Sequence, residues 1–181
     1  MITVEDLLQL YQFETLPVEG GIFKQIYLPA ERIPRAALPA RYTSDKPFGT
    51  AILYLLTDDP NSFSALHKLP TDEIYHFYLG DPVEILQLYP DGRSRRVILG
   101  QDVLHGQQVQ YVAPRDVWMG SHLFPGGKFA LIGTTMAPGF TNDDYVGGER
   151  ATLIEQYPQE TALITQLTRL DQPLDMRQRD G

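Results

Sequence analysis

The 181 residues contain no cysteine. That absence excludes thiolate zinc sites, a cysteine nucleophile and disulfide staples together. Long apolar runs are missing too: no stretch approaches the ~20 apolar residues of a membrane span. The N-terminal MITVEDLLQLYQ is acidic and lacks both the basic start and the apolar run of a secretory signal. The expectation is a cytoplasmic protein with no membrane partner. Positive charge is scarce, with fifteen Lys and Arg against twenty-three Asp and Glu for a net charge of -8. Such a balance repels polyanions. The one basic cluster, Arg93, Arg95 and Arg96, follows the turn Pro90-Asp91-Gly92 and reads as a solvated hairpin end. No nucleic-acid partner is expected. There is also no glycine loop for a nucleotide and no cofactor-lysine signature.

The chain is long enough to bury roughly two-thirds of its unfolded surface, so no metal is needed to hold a core. Thr3 with Asp6 resembles a capping box, and Val4, Leu7, Leu8 and Tyr11 repeat at helical spacing, predicting a helix over 4–11. From Gly21 the pattern alternates, predicting a strand over Gly21–Leu28. Residues 29–47 hold Pro29, Pro34, Pro39 and Pro47 and read as a long loop or edge segment. Eight short apolar runs follow, beginning at Phe48, Phe63, Glu73, Val83, Arg93, Val109, Val117 and Lys128, with Gly, Pro, Asn and Asp turns between them. Strands at this spacing without intervening helical patterns predict antiparallel pairing in a sandwich or barrel. After Gly139 the pattern predicts a turn, a short helix and a final helix opened by Pro158. No linker divides the chain, which gives one domain over 1–172 and a frayed tail over 173–181.

The segment Ser64 to Pro82, SALHKLPTDEIYHFYLGDP, concentrates the chemistry. Two histidines, a carboxylate and three aromatic rings fall on two strands joined by a short turn. Alternation puts Tyr75 and Phe77 on the face of Glu73, with His76 and Tyr78 opposite.

Glu73 with Gly80 seven positions on, His67 upstream, Val112-Ala113-Pro114 with Trp118, and then Pro125-Gly126-Gly127 and Ala137-Pro138-Gly139-Phe140 together resemble the cupin superfamily, more closely its DUF985 or cupin-5 family. Glu19-Gly20-Gly21 and Tyr157-Pro158 extend the match over most of the chain. The resemblance implies an all-β jelly roll, a double-stranded β-helix barrel with short flanking helices, usually dimeric. Metal-binding cupins place two histidines two positions apart, then a glutamate, then a later histidine. Here the pair is reduced to His67, and the late position, five residues after Pro114, is Met119. His67 and Glu73 remain as a two-ligand remnant, with His122 an outside candidate. Stable transition-metal binding needs three or four protein ligands. No cofactor is therefore firmly expected, a divalent metal being the lesser alternative.

Read without the family, these residues are equipped for proton transfer. A neutral histidine can abstract a proton near pH 7, and a neighbouring carboxylate orients its ring. The expectation is a small polar ligand, sugar-like or acidic, handled by His67 as base, Glu73 as orienter and Tyr75 as acid, with His76, Trp118 and His122 binding substrate. That describes an isomerase or epimerase like the sugar-nucleotide epimerases of the RmlC-like group. A non-catalytic binding module and a metal-dependent enzyme using His67 and Glu73 are the alternatives. Runs such as AILYLL are apolar on both faces, so a homodimer is predicted, with Gly21–Leu28 or Phe48–Leu56 at its interface.

Overall fold

In the computed structural model the described residues are 2–170 and 174–176. Helix α1 (Val4–Tyr11) starts where the capping pattern predicts. Asp6 N donates to Thr3 Oγ1 at 3.2 Å and Thr3 N donates back to Asp6 Oδ2 at 2.9 Å. This reciprocal pair satisfies two amides that the helix itself cannot.

Thirteen strands follow among the described residues: β1 (Glu14–Thr15), β2 (Ile22–Tyr27), β3 (Arg32–Ile33), β4 (Lys46–Pro47), β5 (Thr50–Thr57), β6 (Phe63–Lys68), β7 (Glu73–Gly80), β8 (Val83–Leu88), β9 (Ser94–Leu99), β10 (Gln110–Ala113), β11 (Trp118–Leu123), β12 (Phe129–Met136) and β13 (Val146–Gly147). The first sheet runs β1-β2-β5-β12-β7-β10, the second β13-β6-β11-β8-β9, and β3 pairs with β4. All named pairings are antiparallel. The two large sheets face each other as a jelly-roll sandwich that is not closed into a hydrogen-bonded barrel. Between them lies a core that includes Tyr54, Leu56, Ile85, Met119 and Ile132. Gly80 ends β7 at φ 92°, and a Cβ there would fall 2.2 Å from the Phe129 carbonyl. Only glycine lets β7 leave the sheet this close to β12.

The strands that are apolar on both faces find their second cover within the chain. Leu7 of α1 packs on Leu55 and Leu131, outside the first sheet. Helices α2 (Arg150–Gln156) and α3 (Thr161–Gln166) seat Leu153, Ile164 and Leu167, with Tyr157 between them, on Leu66, Leu86 and Leu88 of the second. Those faces therefore need no partner subunit. Ile26, Tyr27, Leu28 and Phe48 stay exposed, as do other apolar side chains such as Leu10, Tyr78, Leu104 and Val112. Among the described residues, no helix is long and apolar enough to cross a membrane.

The proline-rich segment is tied down by charge. Lys46, in β4, is fully buried, with its ammonium 2.7 Å from Asp144 and 3.1 Å from Asp143, and it also donates to Thr141. This joins the segment before β5 to the segment after β12. Farther on, the Gly147 amide donates to the Leu174 carbonyl at 2.8 Å, and Met176 packs on Val18 and Tyr145. The frayed tail expected over 173–181 otherwise lies outside the described residues.

Lys46→Met would leave two carboxylates, one of them almost fully buried, without their cation. Removing one partner from a buried ion pair costs about 3–5 kcal/mol. Urea denaturation should show a loss of that size; a loss under about 1 kcal/mol, the range of exposed pairs, would mean the ammonium does not hold the two segments together.

Candidate functional site

The sheets part at one end around a cavity of about 620 Å³. Its polar lining includes His67 from β6, Glu73 and Thr134 from β7 and β12, Gln25 from β2, and Glu19 from the turn before β2. Phe23, Ile52, Leu69, Met136 and Phe140 supply apolar wall. His67 and Glu73 thus reach one space, as inward positions of their strands.

His67 is buried, and its Nδ1 lies 2.8 Å from the Ala65 carbonyl oxygen. A carbonyl can only accept, so Nδ1 carries the proton and Nε2 of the neutral ring keeps its lone pair. The imidazole stacks on Tyr145 with centroids 5.1 Å apart and planes 17° from parallel. That contact fixes the ring plane.

Glu73 is 8% exposed, and its Oε2 has no hydrogen-bond partner. Burial raises its pKa above the ordinary value, the charge of Glu19 adds to the rise, and His67 and the hydroxyls of Thr134 and Tyr75 oppose it. Buried polar atoms are nearly always paired. Oε2 is sealed as well as unpaired, and the rest of the Glu73 side chain is what lines the cavity.

Tyr75 stands behind this wall. It shares the inward face with Glu73 but is not among the cavity-lining residues, and its hydroxyl donates to Met119 Sδ at 3.7 Å. Burial, followed by the Glu73 charge, pushes its pKa well up. It supports Glu73 rather than meeting a ligand.

The three expected substrate-binding residues lie elsewhere. His76 points from the outer face of β7, with Nε2 3.0 Å from Thr135 Oγ1 and Nδ1 3.1 Å from Gln110 Nε2. Desolvation lowers its pKa. Trp118 packs against the cluster under α2 and α3, and Lys68 sits over its ring at 4.7 Å. His122 is held by Glu84 at 3.0 Å and by the Leu123 carbonyl at 2.8 Å. On β11 the inward position is Met119, so Trp118 and His122, one and three residues away, face the other side.

Glu19 is the residue that sequence reasoning passed over as a site candidate. It sits in a turn where Val18 has φ 68°, Gly20 φ 91° and Gly21 φ 70°. A β-branched residue in left-handed backbone costs about 1–3 kcal/mol and persists only where its surroundings impose it. Here Val18 is buried against Tyr145 and Met176. Ser64 Oγ donates to Glu19 Oε1 at 2.5 Å, while the Ala65 amide and Arg169 Nη1 donate to the Glu19 carbonyl at 2.9 and 2.6 Å. The Glu-Gly-Gly triplet, with two glycines suited to positive φ, was the available signal.

The donor set does not fit a cupin metal centre. Met119 occupies the late ligand position, buried in the core and engaged by Tyr75, and His122 is committed to Glu84. Among the described residues no group of three or more His, Cys, Asp or Glu could hold a metal ion. His67 and Glu73 alone fall short of the usual ligand count.

A jelly-roll sandwich with a ligand-sized cavity between its sheets defines the general class. The chain belongs to the cupin superfamily, in the family described as Cupin_5 (DUF985), whose model matches residues 5–146. It is similar to a hypothetical protein from Leishmania major (28% identity, TM-score 0.80, 93% of this chain and 100% of that one) and to protein SO0799 from Shewanella oneidensis (27%, 0.79, 94% and 100%). It is 32% identical over 99 residues to the uncharacterized protein YML079W of Saccharomyces cerevisiae, covering 53% of this chain. The matched stretch spans about half of that relative's length, 48%.

Because burial raises the Glu73 pKa, the folded chain keeps this proton at a pH where the unfolded chain, near its ordinary 4.5, has released it. Stability from this group is therefore lost as pH rises from the unfolded value through the folded one, and stays lost above it. Glu73→Gln should melt higher than the parent, with a margin that widens from about pH 4 toward neutrality. A margin that stays flat or narrows with pH would contradict the burial of an unpaired carboxyl.

Proposed function

We propose that this cupin binds a small polar organic ligand in the cavity between its sheets and moves a proton on it, as an isomerase or epimerase. His67 Nε2 is the base. Glu73 shares the cavity as the second proton-handling group, taking up or returning the proton that His67 moves. The single observation that carries the reading is that Glu73 and His67 line the same cavity, the histidine with its other nitrogen already committed. Tyr75, expected as the acid, is replaced in that role because its hydroxyl lies behind the wall.

One observation favours a second reading, a binding module without turnover. With Tyr75 engaged by Met119, His67 and Glu73 carry all the proton chemistry, and a pocket between two sheets binds ligands without needing to react. Thermal-shift screening against sugars, sugar nucleotides and small acids, followed by incorporation of solvent deuterium into any hit, separates the two. The enzyme reading expects deuterium at a carbon next to a carbonyl, falling by at least about a hundredfold in His67→Asn, the usual worth of a general base. Incorporation that survives the substitution rejects His67 as base.

We further propose a cytoplasmic homodimer built on Ile26, Tyr27, Leu28 and Phe48. These exposed apolar side chains lie at the end of β2, just beyond it and just before β5, where a second copy would cover them. Light scattering should report about twice the 20.5 kDa chain mass at micromolar concentration. A value equal to the single chain would reject the dimer.

A further inference from the structure

The charge inside the cavity is unbalanced in a way the proton-transfer reading leaves unused. Among the described residues, Glu19, Glu73 and Asp143 line it against His67 and Arg32. Asp143 is already matched: Lys46 Nζ lies 3.1 Å away, and Thr43 and Ser44 hydroxyls donate to it at 2.5 and 2.9 Å. Arg32 is an exposed residue whose Nη2 donates to the Asp45 carbonyl at 2.9 Å. That leaves the two glutamates facing a space whose other ionisable groups are an imidazole and the exposed Arg32 guanidinium. They are close enough for the charge of one to act on the other. Glu73 is 8% exposed and lines the cavity, with no Lys or Arg ion pair among the described residues.

A carboxyl left in this position is best completed by a donor that also carries positive charge. A carboxylate or phosphate ligand would meet repulsion from both glutamates. An alcohol would supply one hydrogen bond and no counter-charge. The surrounding wall is apolar, with the rings of Phe23 and Phe140 and the side chains of Ile52 and Met136. It suits a carbon skeleton rather than a hydrated ion. The net charge of -8 also draws cations toward the molecule.

We propose that the cavity takes a small organic amine, its ammonium group held by Glu73 and Glu19 and its carbon body packed against Phe23 and Phe140. This rests on the reading of the cavity as a ligand site and names the class of ligand. It narrows the small polar ligand of that reading to one bearing a basic nitrogen.

Three probes of one shape and different charge test it: cyclohexylamine, cyclohexanol and cyclohexanecarboxylate, titrated by ligand-observed NMR in chelator-treated buffer at neutral pH. The amine should bind at least about tenfold tighter than the alcohol, one charge-assisted hydrogen bond's worth, and the carboxylate weakest of all. Glu73→Gln and Glu19→Gln should each shrink the amine-to-alcohol preference, with melting curves confirming that both variants fold. If the alcohol or the carboxylate binds as well as the amine, the amine assignment is overturned while the ligand site stands. A preference that survives both substitutions together overturns it as well. Should none of the three probes bind, the amine assignment and the ligand site fall together.

Discussion

A carboxyl oxygen without a partner, sealed between two sheets, is the constraint around which this molecule makes sense. Leaving such an atom unpaired costs free energy, and the fold provides a carboxyl, an imidazole with one free nitrogen and an apolar wall in the same space. Each of the supports has a nameable cause. The Ala65 carbonyl sets the tautomer of His67, the Tyr145 ring sets its plane, and Tyr75 backs Glu73 from the core side. The site is therefore held by strands rather than by loops, which keeps its groups in place before any ligand arrives.

The cavity mouth depends on a second piece of chemistry. Its lining includes Ser44, Thr141 and Asp143, drawn from two segments nearly a hundred residues apart, and the buried Lys46 ammonium bonds one to the other. The opposite side is formed by the turn carrying Glu19, whose left-handed Val18 is held by Tyr145 and Met176. Arg169 reaches from beyond α3 to the same turn through the Glu19, Asn61 and Phe63 carbonyls. The C-terminal segment thus both braces the Glu19 turn, through Arg169, and lines the cavity, through Met176.

Much of the fold could be read from local pattern. The Thr3–Asp6 cap predicted α1 to the residue, and the Gly, Pro and Asp turns delimited β5 to β12 within one or two positions. Period-two alternation sufficed to put His67 and Glu73 on inward faces, because each strand is flanked by a turn that fixes its start. What alternation cannot tell is which face of an isolated strand meets the core. Trp118 and His122 stand on β11, whose pairing with β6 and β8 turns Met119 inward and those two away. Tyr75 shares the correct face, yet depth along the strand decides that it meets Met119 instead of the cavity. Glu19 and the Lys46 network were invisible because they join residues far apart in sequence. The apolar outer faces looked like a demand for a partner subunit, and helices α1, α2 and α3 meet that demand within the chain.

The most direct measurement is the titration of the Glu73 side chain itself, followed through its carboxyl carbon by NMR with selectively labelled glutamate and Glu73→Gln to assign the signal. A midpoint clearly above 4.5, the ordinary glutamate value, and moved by a ligand that enters the cavity, is the result expected of a buried, unpaired carboxyl facing that space. A midpoint at the ordinary value, indifferent to every cavity ligand, would show that water already satisfies this group and that the site has no such centre.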